Sequence, residues 1–175
     1  MQEFSYRLIP AGYGGGSDEQ TTTILGEFLP ADYDKAISII IDLLDCVKGK
    51  LPDFSKIDDN NFNLLMLEYG VVFGNYIEQY GLDYYEASIK AIEKVTQFTS
   101  CEFVTHAFIS KYPEEMMKQM LAWSTHEHWG VRRLASEGCC PRLPWVMSLP
   151  NLKKDPRPII PILENLSQIR AVECC

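Results

Sequence analysis

The chain has 175 residues, 46% of them apolar and 23% charged, with a formal net charge of −8 at pH 7. That composition is globular, long enough to bury one real core, and excludes an intrinsically disordered chain. The acidic balance argues against a generic nucleic-acid binder, and the longest apolar run, Ile37 to Leu44 broken by Ser38 and Asp42, is far too short to span a bilayer.

The first residues carry no basic start, apolar stretch and small-residue cleavage site, so no signal peptide is read and the cytoplasm is the expected compartment. Of the six cysteines, Cys46 and Cys101 fall inside helix-like stretches, and the rest form two adjacent pairs, Cys139-Cys140 and Cys174-Cys175. This is no spaced disulfide framework, and reduced thiols are expected. Charge is unevenly spread. Residues 100–175 hold 9 Lys/Arg against 8 Asp/Glu and residues 1–99 hold 7 against 16, so a polyanion would meet the C-terminal half.

In chain order, residues 1–20 form a glycine-rich leader. Gly12, Gly14, Gly15 and Gly16 are followed by Ser-Asp-Glu, where a phosphate loop would need Gly-Lys-Ser/Thr, so a flexible segment is expected. Thr21 to Phe28 resembles a helical remnant. Asp32 is placed to cap a helix to about Val47, whose apolar positions Ile37, Ile40, Ile41, Leu44 and Val47 mark one face. Phe62 to Tyr80 is the next expected helix, with Leu65, Tyr69, Val72, Phe73, Tyr76 and Ile77 inward and Gly70 and Gly74 implying close helix approach. Further helices are expected over Asp83–Phe98, Glu102–Lys111, from Pro113 through Met120, over Glu127–Ser136, and over Pro158–Leu166. No strand alternation appears. Short helices in antiparallel pairs give an all-α chain arranged as an α-solenoid, with a helical-repeat domain over 21–166 and a tail over 167–175.

Chemistry concentrates between Trp123 and Trp145, which enclose three tryptophans, three arginines, His126, His128, Cys139, Cys140, Glu127 and Glu137. Trp123, Trp129 and Trp145 are either core or stacking surfaces for a base or cation. Arg132 and Arg133 point about 100° apart on one helix. One faces inward and the other solvent, and either Arg132 packing against Glu137 or a guanidinium contact to phosphate explains them. Lys153, Lys154 and Arg157 add basic charge, or simply a solvated face. His126-Glu127-His128 lacks the spacing of a helical zinc motif and Cys139-Cys140 lacks that of a zinc knuckle, so neither metal nor cofactor is expected; a Cys-His nucleophile has no supporting signature. Thr99-Ser100-Cys101-Glu102 matches a capping box. The same geometry would hold the Glu102 carboxylate at a helix N-terminus, where a fixed anion suits stabilising an oxocarbenium-like sugar.

The segment MMKQMLAWSTHEHWGVRRLASEGCCPRLPWVMSLPNLKKDPRPIIPILENL, with GLDYYEASIKAIEKVTQFTSCEF upstream, resembles the AlkC branch of the bacterial DNA alkylation repair glycosylases. The likeness covers residues 25–166, with VRRLASEG and PRLPW as its specific blocks. It implies a HEAT-like solenoid gripping duplex DNA. It also implies a hydrolase that breaks the N-glycosidic bond of cationic alkylated purines, chiefly 3-methyladenine, in base excision repair. The expected roles are Glu102 as the catalytic carboxylate, Trp123, Trp129 and Trp145 as walls for the damaged nucleotide, and Arg132, Arg133, Arg142, Lys153 and Lys154 on DNA. Two positions that hold arginine in the family pattern are His106 and Cys140 here. Helices before Leu25 and repeats after Leu166 belong to that pattern and are not in this sequence, so an exposed solenoid end that self-associates is expected, and a catalytically silent helical module that binds protein or DNA is the alternative function.

Overall fold

A computed structural model describes residues 16–50, 72–99, 101–143 and 147–168. Among these every regular element is helical: α1 (Gly16–Phe28), α2 (Tyr33–Lys50), α3 (residues 72–81), α4 (Tyr85–Val95), α5 (Glu102–Lys111), α6 (Pro113–Trp123), α7 (Trp129–Glu137), α8 (Pro150–Lys154), a 3-10 turn (Arg157–Ile159) and α9 (Ile160–Ser167). The all-α expectation holds.

α1 begins at Gly16, five residues before the start expected from sequence. Asp32 caps α2 as expected, its Oδ1 accepting from the Lys35 backbone N–H at 3.2 Å, and the helix runs through Gly49 to Lys50. α2 turns Ala36, Ile37, Ile40 and Leu44 onto α4, which answers with Ser88, Ile89, Ala91, Ile92 and Val95. A polar bridge closes this contact. The Ser88 hydroxyl donates to the Gly81 carbonyl at 2.8 Å, so the Tyr33 hydroxyl, 2.8 Å away, is the donor to Ser88 Oγ. On α3, a Cβ at Gly74 would stand 2.9 Å from the Phe103 ring, which is the close approach its glycine implied. Leu65, Tyr69 and Gly70 lie outside the described residues.

α5 is apolar nearly all round, and Val104 to Ile109 are buried without interruption, Thr105 and His106 included. It packs on α6, which packs on α7, and α9 lies across both. Pro113 takes a first-turn position in α6, where its missing N–H costs nothing. The helix expected at Pro158 starts two residues later, after the 3-10 turn. α8, five residues anchored by Leu152, is too short to show a periodicity in sequence.

Candidate functional site

Glu102 is the first residue of α5. The expected capping box is not what holds it: Cys101 occupies the N-cap and makes no side-chain cap bond. The Glu102 side chain, about one-fifth exposed, instead points across to α7, where an Arg133 guanidinium nitrogen lies 3.6 Å from its Oε1. Arg133 also meets Glu137 one turn along its own helix, Nε donating to Oε1 at 2.9 Å and the terminal nitrogen lying 2.9 Å from Oε2. That hydrogen bond, ahead of the charges of Glu137 and Glu102, raises the guanidinium pKa. The Thr105 hydroxyl donates to the Glu102 carbonyl at 2.7 Å and lies 3.3 Å from the Gly138 carbonyl, tying the start of α5 to the end of α7.

On α7, Trp129, Arg133 and Glu137 recur every four residues and so share one face. Trp129 is 49% exposed, with its ring 6.0 Å from His128 and near-parallel to it. Glu102 therefore sits at the edge of an exposed stripe of indole, guanidinium and carboxylate.

The two adjacent arginines part company as helical geometry requires. Arg132 turns inward and one of its nitrogens donates to the carbonyls of His126 at 2.8 Å and Glu127 at 2.6 Å, bolting down the loop that precedes α7. The expected Arg132–Glu137 packing belongs to Arg133 instead, because residues four apart align and residues five apart do not. His126 and His128 act as acceptors in the same loop. His126 Nδ1 receives the His128 N–H at 2.9 Å, and His128 Nδ1 receives the Gly130 N–H at 3.1 Å as the N-cap of α7. Each neutral ring therefore carries its proton on Nε2.

Trp123 is core, 1% exposed, its Nε1 donating to Glu93 Oε2 at 2.7 Å, so its ring presents no surface to a nucleotide in this arrangement. The other Glu93 oxygen lies 3.8 Å from His126 Nε2. Trp145 lies outside the described residues. Arg142, Lys153 and Lys154 are exposed. Arg157 is held in a fork by Asp155 at 2.6 and 2.7 Å, and that hydrogen bonding takes the aspartate pKa down to about 2. His106 is fully buried, its Nδ1 2.7 Å from the Met147 carbonyl, so it holds the chain after α7 from inside.

Sequence reasoning missed the Arg133–Glu137 pairing, for which the four-residue spacing was the signal, and it missed Glu93, which, thirty residues from Trp123, left no signal.

No protein family model matches the chain. Over 149 residues, 85% of this chain, it is 43% identical to the uncharacterized protein YhaZ of Bacillus subtilis (strain 168), of which that stretch is 37%. Among solved structures it resembles Pseudomonas fluorescens alkylpurine DNA glycosylase AlkC bound to DNA containing an abasic site analog, with a TM-score of 0.60 and 23% identity, over 99% of this chain and 49% of AlkC. The chain thus spans half or less of the proteins it matches, and what it shares with AlkC is the helical fold. No helix among the described residues is long and apolar enough to cross a membrane.

Proposed function

We propose that this chain carries the catalytic helices of a DNA glycosylase that hydrolyses the N-glycosidic bond of cationic alkylated purines, chiefly 3-methyladenine, in duplex DNA. The observation that carries the reading is Glu102: a carboxylate at a helix N-terminus, held by Arg133 on the neighbouring helix, at the edge of a face that exposes Trp129. The fold shared with a glycosylase solved on DNA supports it.

The chemistry asks little else. As the C1′–N bond breaks, its electron pair neutralises the departing cationic base, which needs no added proton. Water joins C1′ and loses a proton, and the sugar passes through an oxocarbenium-like state that a preorganised carboxylate stabilises. Trp129 and Trp145 are the proposed walls for the damaged nucleotide, and Arg142, Lys153 and Lys154 the proposed phosphate contacts. The cytoplasm is the compartment proposed for the chain.

The test is to incubate the protein with methylated duplex DNA, quantify free 3-methyladenine, and repeat with Glu102→Gln after checking helicity by circular dichroism. Release that vanishes in Glu102→Gln is expected. Equal release from both removes Glu102 as its source. None from a folded wild-type chain leaves a silent helical module.

A further inference from the structure

Between the loop that enters α7 and the end of α9 lies a hollow of about 670 Å3, within the range of about 300–1,000 Å3 typical of small-molecule sites. Three features of its wall are specific. Trp129 lends a half-exposed indole, backed by the near-parallel His128 ring. Glu127, exposed, adds a carboxylate. Asn165 adds an amide whose orientation is fixed. The Ser124 hydroxyl spends its one proton on the Leu121 carbonyl at 2.6 Å, so at 2.8 Å it can only accept from Asn165 Nδ2. The Asn165 carbonyl oxygen is thereby turned away from Ser124, as an acceptor with no partner among the described residues. Against an anion, the Arg132 nitrogen nearest the loop is already committed to two backbone carbonyls.

A flat stacking surface, an oriented acceptor and a neighbouring carboxylate select one chemistry. We propose that this hollow is a binding site for a planar nitrogen heterocycle bearing N–H donors, electron-poor or cationic, that stacks on Trp129 and donates to Asn165 Oδ1. Trp129 stands one helical turn before Arg133, so the hollow adjoins the Glu102 site. The choice of an alkylated purine as the occupant rests on the glycosylase reading; the geometry of the hollow does not. The purine arrives either free or still joined to DNA.

The test is calorimetric titration with free 3-methyladenine, with caffeine, whose nitrogens carry no hydrogen, and with inorganic phosphate. Saturable binding of 3-methyladenine is expected, weakened about tenfold or more in Trp129→Ala and in Asn165→Ala, the size of one lost stack or hydrogen bond. Both positions are at least partly exposed, and a thermal melt confirms that each variant is folded. Equal binding of caffeine, competition by phosphate, or no saturable binding overturns the proposal. Methylated duplex DNA distinguishes the sources: affinity that falls in Asn165→Ala means that the base enters while attached, and affinity that does not means that the site holds the free base. Binding of 3-methyladenine without any release from DNA keeps this site and removes the glycosylase reading, so the two fail separately.

Discussion

Arg133 stands between two carboxylates, 3.6 Å from Glu102 on α5 and 2.9 Å from Glu137 on its own helix. Exposed ion pairs of this kind contribute only about 0–1 kcal/mol to stability, so the arrangement is better understood as holding a carboxylate in place. On the proposed glycosylase reading, Arg133→Ala is expected to leave the melting temperature nearly unchanged while base release falls by about 10- to 100-fold, the scale of a misplaced catalytic group. Glu137→Gln, which removes a restraint on the arginine but leaves Glu102, has the smaller effect. A parallel loss of stability and activity in Arg133→Ala would mean that the arginine merely braces the fold.

Trp123 and Glu93 join α6 to α4 through a part-buried hydrogen bond. Truncating the indole in Trp123→Ala is expected to cost about 3–5 kcal/mol, the usual range for a fully buried tryptophan. Glu93→Ala leaves the indole N–H unsatisfied, at about 1–3 kcal/mol. Because the two share one bond, Glu93→Ala combined with Trp123→Phe should cost less than the sum of the single changes in chemical denaturation. Additive losses would show that the pair does not couple.

Gly130 is the second residue of α7, where a Cβ would stand 2.7 Å from the Thr96 carbonyl oxygen and 3.2 Å from His128 Nδ1. The first obstacle is backbone and cannot swing aside. Gly130→Ala is therefore expected to destabilise by about 1–3 kcal/mol, against the normal gain from replacing glycine by alanine in a helix. Denaturant midpoints decide the sign.

Burial pushes the Cys139 thiol up to about 12, and raises Cys101 as well. The folded chain keeps Cys139 protonated, while the unfolded chain gives up its proton near the ordinary thiol value of 9.0. The native state thus binds more protons above that value. The stabilisation is complete below about pH 9 and is lost toward pH 12, with a slope of about 1.4 kcal/mol per pH unit for each such thiol. Denaturation between pH 8 and 11 should show this fall, shallower in Cys139→Ala. Mass-mapped alkylation at pH 8 should label the exposed Cys46 well before Cys139.

Local signals carried most of the fold. The Asp32 cap, the Pro113 start and the Ile37–Ile40–Leu44 stripe each act within a few residues, and the structure honours all three. The Thr99–Glu102 box was equally local in form, yet α5 starts at Glu102 itself, and that side chain meets a cation thirty-one residues along the chain that no local pattern reveals. The arginine pair was legible to the extent that helical angles demand one inside and one outside. Which was which depended on the carbonyls of a loop. Tryptophan rings at Trp123 and Trp129 are alike on paper, and only the tertiary fold buries one and exposes the other.

The Thr105 hydroxyl, reaching both the Glu102 and Gly138 carbonyls, has a consequence for movement. Glu102 and Glu137 belong to different helices, but each lies next to a carbonyl that this one hydroxyl touches. A flexing of the array that slid α5 along α7 would have to part those atoms first, and would strip Arg133 from one of its carboxylates in the same displacement. The ends of α5 and α7 that carry Glu102 and Glu137 are thus linked beneath their side chains as well as through Arg133.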